Sequence, residues 1–295
     1  MLLGIDVSHY TATRDWRGLA DKGIEFAFVK ASEGATVRDD HFSQHWRGLH
    51  EAGVPCGAYH FAHPGSDPAT QAAQFHSVVG DLGPSDLQPV LDLETGDGHP
   101  AAAVVEWTLK FVERAESLFH TQLIIYTGGF WRRELGNPPC PPLGARKLWT
   151  ARYGAEPVLP QPWTKWSIWQ FSDGIHSVPP EAAALKCNCD WNRLADGLDL
   201  HQLTVAANPA PSATSPARLQ GAWPGRFLMF PAHPPVSGDD VQQWQAQMCK
   251  RGWALNPNGV YGPESRTACL SLQRQEGLVG DGIVGPKTWE ATFAD

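Results

Sequence analysis

The chain has 295 residues, 42% of them hydrophobic and 18% charged, with a formal net charge of −8. That length suggests about two domains, and no apolar run approaches the ~20 residues of a membrane span. Residues 1–204 hold 16 Lys and Arg against 24 Asp and Glu, whereas residues 205–295 hold 7 of each, so the acidic excess belongs to the first part and argues against nucleic acid as a partner. A neutral carbohydrate fits better, because the 13 Trp side chains can stack on sugars without needing charge. Six cysteines do not make a disulfide scaffold in a chain of this length. Cys187 and Cys189 are expected to point the same way from one strand, and Cys249 and Cys269 either meet or stay free. The start, Met1 to Asp6, has no basic region and no long apolar core, so no signal peptide is expected.

Leu2 to Ser8 reads as a strand carrying Asp6. A short helical segment follows at Asp15 to Lys22. Ile24 to Ala31 is a second apolar strand, ending near Lys30 and Glu33. Phe42, Trp46 and Leu49 have helical spacing within Asp40 to Ala52. Val54 to Phe61 is a third strand, Pro68 to Gly80 a helix, and Gln88 to Glu94 a fourth strand. Ala101 to Phe119 is a longer amphipathic helix, and Gln122 to Tyr126 a fifth strand. The pattern then changes. Lys147 to Ala151, Trp166 to Phe171 and Cys187 to Trp191 read as three more strands, separated by stretches rich in Pro and Gly. Eight strands, the first five alternating with helices, predict an α/β fold: an irregular barrel of parallel strands in which reacting groups gather at the C-terminal strand ends.

The chemistry centres on Leu91-Asp92-Leu93-Glu94. Residues two apart on a strand share a face, so both carboxyls are expected to project together from an apolar setting. Such neighbours have different proton affinities, and one can stay protonated while the other is charged. That division of labour suits glycosidic bond cleavage. Asp6, Glu33 and Asp190 are expected at other strand ends on the same rim. Zinc is not expected: His41 and His45 are four apart on a predicted helix, but no Glu follows His41. No cofactor or metal is called for.

The motifs Gly4-Ile5-Asp6-Val7-Ser8, Val29-Lys30-Ala31-Ser32-Glu33-Gly34, Gly57-Ala58-Tyr59-His60-Phe61 and Leu91-Asp92-Leu93-Glu94 occur in that order. Ile125-Tyr126-Thr127, Leu148 to Tyr153, Trp169-Gln170-Phe171-Ser172 and Asp190-Trp191-Asn192 follow. Together they make residues 1–204 resemble the family-25 glycoside hydrolases, lysozymes of the N-acetylmuramidase type. Thr11, Val37, Cys189 and Trp191 depart from the usual residue types beside these motifs, but no carboxylate is lost. The resemblance implies a barrel of five β/α units followed by three strands. It also implies cleavage of the β-1,4 bond between N-acetylmuramic acid and N-acetylglucosamine. Glu94 matches the general acid, Asp92 a residue orienting it or the substrate's acetamido group, and Asp6 and Asp190 the other acids. Glu33, Tyr59, Tyr126, Trp149, Tyr153 and Gln170 would bind sugar. Net retention through the substrate's own acetamide is the expected course.

Val205 to Gly221 is rich in Ala, Pro and Ser and reads as an extended tether. Residues 222–295 then carry a repeat: Asn258-Gly259-Val260-Tyr261-Gly262-Pro263 is echoed by Asp281-Gly282-Ile283-Val284-Gly285-Pro286. Predicted helices at Asp239 to Arg251 and Glu264 to Glu276 flank the first copy. This part resembles the three-helix peptidoglycan-binding domain found beside wall hydrolases. The combined expectation is a monomeric modular endolysin or autolysin acting on bacterial peptidoglycan. Release would be by lysis or a holin if phage-encoded, or by a non-classical route. A catalytically inactive wall-binding protein and a chitinase-like glycosidase are the alternatives.

Overall fold

A computed structural model of the chain describes residues 2–11, 15–179, 189–210, 223–232 and 235–294. Its strands are β1 (Leu3–Val7), β2 (Phe26–Glu33), β3 (Val37–Arg38), β4 (Cys56–Phe61), β5 (Val90–Asp92), β6 (Ile124–Tyr126), β7 (Lys147–Ala151), β8 (Ile168–Ser172) and β9 (Asp190–Leu194). β1 pairs with both β2 and β9, which closes eight strands into a barrel, while β3 folds back as a short antiparallel extension of β2.

The barrel is not parallel throughout, as the strand pattern had suggested. β9 runs antiparallel to both β8 and β1. An antiparallel neighbour requires no helical crossover, which agrees with the Pro- and Gly-rich sequence in this part of the chain. The reversal also changes how Asp190 arrives at the rim. It is the first residue of its strand, and it sits opposite Asp6 in the β1–β9 register.

Alternation along the strands divides the apolar residues into two layers. Ile5, Val7, Ala27, Val29, Leu91, Leu93, Ile125, Leu148 and Trp191 face outward. They pack with helices α1 (Trp16–Ala20), α2 (Phe42–Ala52), α3 (Pro68–Val79), α4 (Ala101–Phe119) and α5 (Phe130–Arg133). Phe26, Phe28, Val90, Ile124, Tyr126, Trp149, Ile168 and Leu194 fill the inside. Two glycines make the inner layer possible. A Cβ on Gly4 would lie 2.4 Å from the Phe26 ring, and one on Gly57 would lie 2.6 Å from the Phe28 ring. The same period of two turns Asp6, flanked by Ile5 and Val7, and Asp92, flanked by Leu91 and Leu93, toward the barrel mouth.

The helices start and stop where their sequences dictate. Asp67 accepts a hydrogen bond from the Thr70 amide and Pro68 occupies the first turn of α3. Gly53, with φ of 72°, closes α2 in the left-handed conformation that Gly adopts at least cost. His41 and His45 meet edge to face at 5.5 Å, and His45 packs on Trp16, so this pair belongs to the packing around α2.

Residues 1–210 and 211–295 form two compact units. The second contains α6 (Asp239–Lys250), α7 (Pro263–Gln275) and α8 (Pro286–Phe293). Trp244, Tyr261 and Trp289 are buried at its centre with Val241, Met248, Leu272 and Val284. Its repeat is built around two buried glutamines. Gln245 donates to Asn258 Oδ1, the Val260 carbonyl and Ser265 Oγ, and accepts from the Gly259 amide. Gln273 repeats this with Asp281, Ile283, Thr288 and Gly282. Each Gln pins an Asx-Gly turn to the helix before it, a duplication that the turn sequences alone reveal only in part. Cys249 and Cys269 are free thiols, as are Cys56 and Cys140; Cys189 is buried, and Cys187 lies outside the described residues.

Val205 to Ala210, expected in the tether, is fastened to the barrel. The Val205 and Ala206 amides donate to the carbonyls of Asp86 and Pro84, and the Gln122 amide and Thr121 hydroxyl both donate to the Asn208 carbonyl. A chain ending at Ala210 is therefore expected to melt with the barrel transition of the full protein. One ending at Thr204 loses these bonds and should melt lower. Equal melting temperatures in thermal denaturation would contradict this boundary.

Candidate active site

Four carboxyls meet in the mouth of the barrel. Asp6 and Asp92 are almost fully buried, at 8% and 7% exposure. Asp190 is half-buried, and Glu94 stands two residues past the end of β5 with an edge open to solvent. The Leu93 amide bonds the Tyr126 carbonyl at 3.0 Å, so the backbone stays tied to β6 up to the residue before Glu94. Gly128 leaves room on the far side. A Cβ there would lie 3.5 Å from Glu94 Oε2 and 3.8 Å from the Tyr126 hydroxyl, so both groups border one small space.

Gln170 is the hub beneath these acids. Its amide nitrogen donates to Asp6 Oδ2 at 3.0 Å and Asp190 Oδ2 at 3.2 Å. Its oxygen accepts from the hydroxyls of Tyr126 at 3.1 Å and Tyr153 at 3.3 Å. Asn192 adds a 2.7 Å bond to Asp6 and is itself held by Trp149 Nε1 at 2.8 Å. Two amide N–H groups therefore converge on one oxygen of Asp6, which favours its charged form.

Burial raises every acid of the cluster, because the charged form loses water. Asp6 rises to about 6, against the opposing bonds from Gln170 and Asn192. Asp190 is pushed up to about 8 by burial and then by the charge of Asp6. Asp92 is held well above the usual carboxylate range by burial and then by Glu94. Its Oδ1 is buried without a hydrogen-bond partner among the described residues. Glu94 is also raised: the walls of the mouth remove much of its water despite the open edge, and Asp6 and Glu134 add like charge. Near neutral pH the cluster therefore holds protons it can give away.

Residues 5–178 match the family described as glycosyl hydrolases family 25. The chain belongs to that family. Residues 237–291 match a putative peptidoglycan binding domain. Lysozyme M1 of Streptomyces globisporus is 30% identical over 179 residues, which is 57% of this chain and 61% of that protein. The matched region thus spans less than two thirds of that relative. The autolytic lysozyme of Clostridium acetobutylicum is 26% identical over 292 residues, covering 97% of this chain and 76% of that one. The barrel is also similar to the crystal structure of a bacterial lysozyme from Streptomyces coelicolor. That likeness has a TM-score of 0.62 and 28% identity, over 70% of this chain and 98% of the other.

Within this family-25 barrel the candidate residues fall into three groups. Asp6, Asp92, Glu94 and Asp190 share the mouth, with Tyr126 and Tyr153 on its wall. Gln170, expected to bind sugar, is 4% exposed and engaged with the acids, so its place is under them. Trp149 is 2% exposed and packs between Phe28 at 4.8 Å and Tyr126 at 4.9 Å, with no ring face open to a sugar. Tyr59 is half-buried, and burial holds its hydroxyl neutral. Asn192 had no expected role beyond its place in the Asp190-Trp191-Asn192 motif. Its position two after Asp190 on one strand was the signal that it faces the same acids.

Glu33 is set apart from the four acids by its partners. Its carboxylate takes Lys30 Nζ at 2.6 Å and His63 Nε2 at 3.1 Å. His63 Nδ1 meets Asp97 at 3.2 Å, and Asp97 accepts the Gly65 amide at 2.9 Å. This chain joins the segments after β2, β4 and β5 around the rim. Glu33 is lowered by its bonds to Lys30 and His63, which outweigh burial, so it serves poorly as a proton donor. His63 is raised by Glu33 and Asp97, again against burial. The protonated ring thus binds this folded rim best. Its stabilising effect is complete below the unfolded value near 6.5 and is lost as pH rises through the higher folded value. The melting difference between the wild type and His63→Gln is therefore expected to be largest below pH 6.5 and to shrink above it. A difference that grows with pH would contradict the clasp.

Proposed function

We propose that the chain is a peptidoglycan hydrolase of the muramidase type. It cleaves the β-1,4 bond between N-acetylmuramic acid and N-acetylglucosamine, and its C-terminal unit holds it on the wall. The observation that carries this reading is the group of four carboxyls of raised proton affinity in one barrel mouth, with bonded tyrosines on the wall. The lysozyme names of the two relatives and the solved structure cited above support the substrate class. We read the barrel as five strand–helix units followed by three strands, and the second unit as a three-helix wall-binding module. The protein acts as a monomer.

In this reading Glu94 protonates the leaving oxygen. It is the most exposed of the four acids, and burial followed by the charge of Asp6 raises its proton affinity, as a general acid requires. Asp92, buried and holding its own proton, uses its unpartnered oxygen to receive the substrate's acetamido N–H. Asp6 and Asp190 share a proton and supply the negative charge that balances the developing oxocarbenium ion. An anion fixed by two amide donors and a shared proton is a poor nucleophile. The acetamide oxygen is better placed to attack, which gives net retention by substrate assistance.

Three measurements test this. Purified wall sacculi treated with the full chain should release soluble fragments with new reducing sugar ends. NMR of the first-formed product should show the β-anomer. An inverted product, or a covalent sugar ester trapped on Asp6 or Asp190, would rule out substrate assistance. Absence of new reducing ends would rule out glycosidase activity altogether. Removing residues 211–295 should reduce activity on sacculi far more than on soluble muropeptides, because tethering raises the enzyme's local concentration on an insoluble substrate. Equal loss on both would mean the second unit supports the barrel structurally.

A further inference from the structure

A second concavity, about 450 Å³ in volume, lies where β7 begins, at the end of the barrel away from the acids. Lys147, on its edge, and Ala151, at the mouth, are the two ends of the five-residue β7, a span of roughly 13 Å along the strand. Arg146, Lys147 and Lys165 line it, together with Ser167, Gln202 and Asn208, and among the described residues no carboxylate does. Arg146 is already satisfied. Its guanidinium forks onto Glu116 at 2.9 and 2.7 Å. Lys147 and Lys165 are not. Among the described residues neither has an acidic partner, in a unit whose overall charge is strongly negative.

Lys147 is held in place by a neutral group alone. Its ammonium donates to Asn208 Oδ1, and the Asn208 amide is fixed in turn by the Gln202 and Thr204 carbonyls, both at 2.8 Å. The ammonium is half-buried, so it has lost water without gaining a counter-charge. Lys147 is lowered, first by that burial and then by the charge of Lys165. An anion between the two lysines would relieve both effects.

We propose that this concavity is a binding site for a phosphate group, with Lys147 and Lys165 as its cationic ligands. Two ammonium groups act as point charges and match the charge of a phosphate, whereas the planar guanidinium that would grip a carboxylate is occupied by Glu116. The polar rim of Ser167 and Gln202 offers further hydrogen bonds, and the volume exceeds what a single phosphate needs. A phosphodiester within a longer polymer therefore fits as well as a free phosphate. The site is independent of the carboxyl cluster and does not depend on the reaction assigned to it.

Thermal denaturation of the full chain tests this, with inorganic phosphate, a soluble glycerol-phosphate oligomer, or acetate added at matched ionic strength. A ligand that binds only the folded state raises the melting temperature in a saturable way. Phosphate should do so for the wild type, and acetate should not. Lys147→Met and Lys165→Met should each lower the apparent affinity by at least ~10-fold, the loss of one charge-assisted contact. In phosphate-free buffer Lys147→Met should melt no lower than the wild type, because it removes an uncompensated cation. Lys165 is exposed, so Lys165→Met keeps the test valid if the other variant folds poorly. A stronger response to the oligomer than to an equal concentration of phosphate would assign the site to a polymer, and the reverse to a free phosphate. No saturable rise in the wild type, or an equal rise in both variants, would overturn the proposal.

Discussion

Replacing Glu94 with Gln is expected to lower turnover on peptidoglycan by ~10²–10⁴-fold, the usual share of a general acid. The amide keeps the volume and polarity of the side chain but has no transferable proton. Fold and wall binding should survive. Glu94 sits beyond the end of β5 with an open edge, and among the described residues no hydrogen bond of the core depends on it. Its charged form is disfavoured by burial and by Asp6, so loss of the charge should not lower the melting temperature. A variant that retains more than about a tenth of wild-type turnover would remove Glu94 from the role of acid.

The second large effect is expected from Asp6→Asn. Of the two acids that face each other across β1 and β9, Asp6 has the lower value, about 6 against about 8 for Asp190, so it carries the charge at neutral pH. Removing a preorganised charge from a partly dry site costs ~10²–10³-fold in rate. The loss should fall on kcat more than on KM, since the charge is needed most in the transition state. Asp190→Asn differs because the amide imitates the protonated state. Asp190 is already protonated where Asp6 titrates, so the acidic limb of the pH profile should stay close to that of the wild type. Stability gives an independent check. A carboxyl raised from 3.8 to about 8 on folding contributes stability that is complete below 3.8 and is lost as pH rises through 8. Asp190→Asn should therefore melt progressively higher than the wild type between those limits and hold a constant advantage above them. A constant difference across the range would mean that Asp190 does not retain its proton in the folded protein.

The barrel and its acids were legible because strand periodicity and side-chain direction are the same fact. Ile5-Asp6-Val7 and Leu91-Asp92-Leu93 each place one acid between two outward apolar residues, and the closed barrel sends both acids to one mouth. The direction of β9 was not legible, because alternation reads the same in either direction. Nor was the burial of Gln170 and Trp149. Both types suit a sugar site, and only packing against residues far along the chain shows that one props up the acids and the other fills the barrel. The clasp of Glu33, His63 and Asp97 spans three loops and leaves no local pattern. Val205 to Ala210 misled for a related reason: its composition is that of a tether, but its backbone bonds go to Asp86, Pro84 and Gln122, which the sequence does not announce.

A muramidase is distinguished from other wall hydrolases by the chemical identity of the chain ends it creates. Purified peptidoglycan would be digested with the full chain, reduced with borohydride, and its soluble fragments sequenced by mass spectrometry. Reduced N-acetylmuramic acid is expected at the new ends, with the signal lost in Glu94→Gln. Reduced N-acetylglucosamine at those ends, or cleavage confined to the peptide stems, would contradict it.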